Sequence, residues 1–144
     1  MAGRWKNWIA PMALCAAIVL GGCKQITGAK GEGDKLAAGV HSAMSRGDWK
    51  GLYDSADPDL RAGTPKDKFG ALFTRIANKL GSPVSFKETG WNLDKSSDGT
   101  FLKATCDTKF SNNASGTETI EWRKVDGKYL LYSYHIKSDA LPTQ

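Results

Sequence analysis

The sequence predicts an α+β domain: N-terminal helices packed on a four-stranded antiparallel, curved sheet. Three observations carry that expectation. Apolar residues recur at helical spacing from about residue 34 to residue 80. From Pro83 onward they alternate, as on a strand with one face buried. Asp126-Gly127, a strong hairpin signal, joins the last two alternating runs. Ahead of this domain stands a segment of another kind, which sets its boundary.

Residues 1–7 form a short positive start with Arg4 and Lys6, and residues 8–20 carry no charge. Thirteen residues make a helix of roughly 20 Å, too short for a comfortable bilayer span. A basic start, a short apolar run and small residues at its exit describe a secretory signal. The exit, Leu20-Gly21-Gly22-Cys23, resembles the lipobox of bacterial lipoproteins. There, small residues let the extended chain enter a peptidase, and the thiol becomes the nucleophile on which a lipid thioether is built. The resemblance implies that residues 1–22 are a signal peptide and that Cys23 becomes the acylated first residue. Several acyl chains on one residue anchor stably where one chain is marginal. Lys24 follows Cys23, where Asp would be the inner-membrane retention signal. That implies a protein held by its lipid to the outer membrane and facing the periplasm.

Residues 23–33 read as the lipidated cysteine and a flexible tether, because Gln25 to Asp34 is rich in Gly and polar residues. The domain then spans residues 34–138, and residues 139–144 are a C-terminal tail. Asp34 is placed to cap a first helix to about Arg46, with Leu36, Val40 and Met44 every four residues and Ala37 and Ala43 widening the stripe. After Gly47, Asp48 is placed to cap a short helix carrying Trp49, Leu52 and Tyr53 inward. Asp57-Pro58-Asp59 reads as a turn. Thr64, Pro65 and Asp67 read as N-cap, first helical residue and capping-box partner of a third helix. Phe69, Leu72, Phe73, Ile76 and Leu80 form its stripe, and Gly81 closes it.

Four strands follow. Val84 to Leu93 is the first, with Phe86 and Trp91. Asp94 to Gly99 is a turn. Leu102, Ala104, Cys106, Thr108 and Phe110 alternate against Lys103, Thr105, Asp107 and Lys109 on the second. Ser111 to Gly116 is a polar turn, and Thr117 to Val125 is the third strand, with Ile120 and Trp122 on one face. Tyr129 to Ile136 is the last and is apolar enough to be central. If the sheet curves, the layer beneath the helices becomes a cone-shaped pocket.

Composition excludes several function classes. The chain carries a net charge of +5, and loss of the two leader cations, Arg4 and Lys6, brings this to +3. Basic residues are scattered among acidic ones, unlike the clustered stripe of a nucleic-acid binder. Of three cysteines, Cys15 leaves with the leader and Cys23 takes the lipid, so Cys106 has no disulfide partner in the mature domain. Two histidines and one thiol without ligand spacing offer no zinc site. Asp54, Asp57 and Asp59 lack the ladder of a calcium loop. No cofactor is expected, and no Gly-rich phosphate loop or Ser/His/Asp motif is present. Cys106 reads as a small buried hydrophobe. His41 lies beside the stripe of the first helix, while His135 sits between Tyr134 and Ile136 and points away from the helices. The remaining pocket or interface candidates are the aromatics Trp91, Trp122, Tyr132 and Tyr134, with core packing as their default role.

The later strands carry a further resemblance. Thr108-Lys109-Phe110-Ser111-Asn112, Glu118-Thr119, Asp126-Gly127-Lys128-Tyr129, Tyr134 and Ile136 resemble the carboxyl half of domain of unknown function 4019, a bacterial family of exported proteins. The passage from Gly81 to Lys87 is similar too, and the likeness covers residues 34–137. It implies a cystatin-like or nuclear-transport-factor-2-like fold. Phe86 stands where members often carry Arg, so nothing tied to that arginine carries over. Fold alone does not decide function here.

With a full fold signal and no catalytic constellation, the expectation is a non-enzymatic envelope module, tethered to a membrane, that binds a protein or small molecule. Two other readings compete. An inhibitor or immunity lipoprotein against a periplasmic lytic enzyme suits a small tethered domain. A small enzyme with a cone-shaped pocket requires a ligand-sized cavity touching His41 or His135.

Overall fold

The computed structural model describes residues 21–142. Residues 1–20, which hold most of the expected leader with Cys15 and Leu20, and residues 143–144 of the tail lie outside them. Four helices are followed by four strands: α1 (Gly21–Ser45), α2 (Trp49–Asp54), α3 (Pro58–Gly63), α4 (Lys66–Lys79), β1 (Pro83–Ser96), β2 (Gly99–Phe110), β3 (Ser115–Val125) and β4 (Lys128–Lys137).

α1 departs most from expectation. The stretch read as a flexible tether is helical back to Gly21. Ala29 packs against the edge of the core, and Lys30 pairs with Asp34 one turn later at 3.4 Å. At Gly33 the helix lies against the sheet, a β-carbon there standing in ordinary contact 3.4 Å from Glu88 Oε2. Glycine composition signalled a coil; tertiary contact carries the helix through it.

Asp57-Pro58-Asp59 opens a helix and is not an isolated turn. The Asp57 side chain accepts from the Asp59 N–H at 2.8 Å, and Pro58 takes the first position, where no N–H is needed. At six residues, α3 is too short to show a period. Thr64, expected to cap α4, ends α3: its N–H donates to the Leu60 carbonyl (2.8 Å), and its own carbonyl accepts from the Tyr53 hydroxyl (2.7 Å). Pro65 is the N-cap of α4 and makes no side-chain cap bond. The other end of α4 matches its prediction, with Gly81 at φ +86° donating to the Ile76 and Ala77 carbonyls. Gly70 is required for a different reason. Trp49 of α2 lies over it so closely that a β-carbon would fall 2.6 Å from the ring.

The strands form a single antiparallel meander in the order β1-β2-β3-β4. Asp126 (φ 49°) and Gly127 (φ 81°) make the tight β3–β4 turn. β4, apolar enough to suggest a central strand, is an edge strand. Its composition reflects cover from α3, where the Asp57 N–H donates to the Leu131 carbonyl at 2.9 Å. The β1 edge carries two bulges, Lys87 and Lys95, which discourage pairing with another chain.

Register places successive rows of side chains beneath the helices. Leu93, Leu102, Trp122 and Leu131 make one; Trp91, Ala104, Ile120 and Tyr134 make the next. All but the half-buried Trp91 pack with Phe69, Phe73, Ile76 and Leu80 of the helical layer as the core. The sheet is not strongly curled, so the expected cone does not open. The third row, Glu88, Cys106, Glu118 and Ile136, is the anomaly, because it brings two carboxyls into the same layer.

Candidate functional site

Lys30, Asp34, Ala37 and His41 recur at helical spacing along α1 and face that third row. Lys30 and His41 reach the carboxyls of Glu88 on β1 and Glu118 on β3 beneath them.

Glu118 is fully buried, and both carboxylate oxygens are engaged. Oε2 accepts from His41 Nε2 at 2.6 Å and from the Thr108 hydroxyl, while Oε1 accepts from the Tyr134 hydroxyl at 2.5 Å. Burial alone would push this carboxyl up. Hydrogen bonding and the charge of His41, with the Thr108 and Tyr134 donors, outweigh it and hold Glu118 below the usual carboxylate range. His41 is buried and meets Phe86 edge-on, with ring centroids 4.7 Å apart. Among the described residues its Nδ1 has no partner. Burial and then the Glu118 charge drive the Tyr134 phenol well above its ordinary value, so it stays a donor.

Glu88 is also buried, with its side chain 3% exposed, but has few partners. Lys30 Nζ lies 3.6 Å from Oε1, and Oε2 has no partner among the described residues. Burial first, and then the neighbouring Asp34 carboxyl, push Glu88 up. Between the two acids sits Cys106, its thiol pushed up to about 12 by burial and by the Glu118 and Glu88 charges. A thiol so suppressed is no nucleophile.

A separate clamp fastens α3. Arg123 of β3 grips the buried Asp57 with two bonds, Nε to Oδ2 at 2.8 Å and Nη2 to Oδ1 at 2.7 Å, and reaches Asp59 at 2.6 Å. The guanidinium lies 5.5 Å over the Tyr132 ring, which Phe101 meets edge-on. This bidentate pair ties the α2–α3 junction to the sheet.

The residues singled out from sequence fall in different places. His41 and Tyr134 meet on Glu118. Trp122 is buried in the core, and Trp91 is half-buried on the helix-facing side of β1. Tyr132 is the extra residue of the β3–β4 bulge. His135 is exposed and, with Tyr132 and Tyr134, borders a groove of about 470 Å³ that Leu60, Phe69 and Leu72 also line. Cys23 lies in α1. Among the described residues no cluster of three or more His, Cys, Asp or Glu is arranged to hold a metal ion, and no helix is long and apolar enough to cross a membrane.

Sequence reasoning missed Glu118, Thr108, Glu88 and Arg123. A signal was present: Thr108 shares the alternation phase of Leu102, Ala104 and Cys106, and Glu118 shares that of Ile120 and Trp122. Polar residues in the core phase of adjacent strands announce a buried network.

Fold and site together define a class: a helix-on-sheet α+β domain whose core holds a hydrogen-bonded carboxylate. Neither a known protein family nor a curated protein matches this sequence.

Proposed function

We propose that this chain is a lipid-anchored domain of the bacterial envelope. Cys23 carries the lipid once residues 1–22 are removed, and the body binds a protein or small molecule without converting it. The carrying observation is the order of the first 23 residues: a basic start, thirteen uncharged residues, then Leu20-Gly21-Gly22-Cys23. Lys24 supports the outer membrane, with the domain facing the periplasm. The likeness of the later strands to domain of unknown function 4019 belongs to the same reading. Binding is favoured over catalysis because the groups best suited to chemistry, Glu118, His41 and Cys106, are enclosed in the core. Because the residues around Cys23 are helical, the thioether would join the bilayer directly to a helix.

The test is metabolic labelling of the full chain with a palmitate analogue in a lipoprotein-processing bacterium, read with the intact mass. The wild-type chain is expected to take up label and shorten to a form beginning at Cys23. Cys23→Ser is expected to persist unlabelled at precursor mass. Equal labelling and equal processed mass for both would overturn the anchor.

A further inference from the structure

The two halves of α1 hold the sheet by different means. The second half buries Ala37, Val40, His41 and Ala43. The first half contains Gly21, Gly22, Gly28, Gly31 and Gly33, each about 1 kcal/mol less favourable in a helix than Ala. Its described contacts with the sheet run through Ala29, Gly33, the Lys30–Glu88 pair, and Glu32, which with Gly28 borders a groove against Lys124 and Tyr129. The sheet group beneath them is Glu88, enclosed, with one oxygen unpartnered among the described residues and the Lys30 ammonium 3.6 Å from the other.

A carboxylate in that setting is stable with a proton and costly without one. Ionised, Glu88 also faces the like charge of the Asp34 carboxyl across the helix–sheet seam, and a proton on Glu88 removes that repulsion. The other groups facing it do not relieve this. Cys106 on β2 keeps its proton, Glu118 on β3 adds negative charge beyond it, and His41 is already bonded to Glu118.

We propose that residues 28–34 of α1 form a proton-controlled strap, which lies on the sheet while Glu88 carries a proton and lifts away when Glu88 ionises. Residues 28–34 span about 10 Å as a helix and up to about 24 Å extended. On the lipid-anchor reading, opening therefore lengthens the leash between bilayer and domain. The strap itself does not require the lipid.

Backbone amide exchange of the full chain in detergent micelles tests it, with rates corrected for the intrinsic effect of pH. Protection of residues 28–36 relative to α4 is expected to fall as pH rises above the ordinary carboxylate value, by up to tenfold per pH unit, the maximum for one linked proton. Glu88→Gln is expected to stay protected and flat. Lys30→Met, which removes the nearby cation, should move the fall to higher pH. A flat wild-type profile, or a slope retained in Glu88→Gln, overturns the strap. Should Glu88→Gln lose protection in α4 as well, an unmoved profile for Lys30→Met overturns it.

Discussion

Glu88 and Glu118 stand on one row of the sheet with Cys106 between them, and α1 covers both. Their circumstances differ. Glu118 has His41, Thr108 and Tyr134 as donors from α1, β2 and β4. Glu88 has a lysine at 3.6 Å, a second carboxyl close by and an orphaned oxygen. The difference follows from the helix above. Around Ala37 to Ala43 it is packed from several sides, so donors can be held in place. Around Gly28 to Gly33 there is little side chain to hold anything. A buried charge is a rivet when its donors are fixed by the core, and a weak seam when they are not.

The largest expected effect breaks that comparison if it fails. Glu118→Ala leaves three donors facing the space of a removed acceptor, and should cost about 3–5 kcal/mol, the loss typical of a broken buried pair. Urea denaturation would show it as a lowered midpoint. Glu88→Ala should cost clearly less. Equal losses would mean that donor number does not separate the two sites.

A smaller effect sharpens the picture within the Glu118 cluster. Tyr134→Phe keeps the ring packed on Phe73, whose centroid is 5.0 Å away, and deletes one donor. The cost should be about 1–3 kcal/mol by denaturation, with His41 and Thr108 still bonded. A loss as large as that of Glu118→Ala would show that the network stands or falls on the phenol.

Much of this architecture is legible in the sequence, and the misses have physical causes. The four strands and the main body of α4 declare themselves, because each buries one face and keeps its period over many residues. Gly81 and Asp126-Gly127 are legible because left-handed backbone selects residue types. α3 is hidden because six residues show no period and its signals, Asp57 and Pro58, also make turns. The first half of α1 is hidden because its helicity depends on a surface brought from residues 88 and 102, and local composition opposes it. Glu118 lay in plain alternation with Ile120 and Trp122, but its partner His41 is 77 residues away. Spacing along the chain cannot reveal that meeting.

The smallest effect is the most discriminating, because the two acids should respond to pH with opposite sign. Glu118 is held below its ordinary value of 4.5, so its contribution is complete above that value and is lost as pH falls through the folded-state value. Glu88 is raised above 4.5, so its contribution is present below that value and is lost as pH rises through the folded-state value. Glu88→Gln should therefore leave the acid limb of the stability profile intact and flatten the neutral limb. At neutral pH it should be no less stable than wild type and gain at most about 1 kcal/mol, since an amide fills the same space without a charge to desolvate. Denaturation midpoints of both proteins across the acid-to-neutral range check this. A Glu88→Gln protein that loses stability at neutral pH would show that Lys30 satisfies the Glu88 charge after all, and that the two ends of the seam are alike.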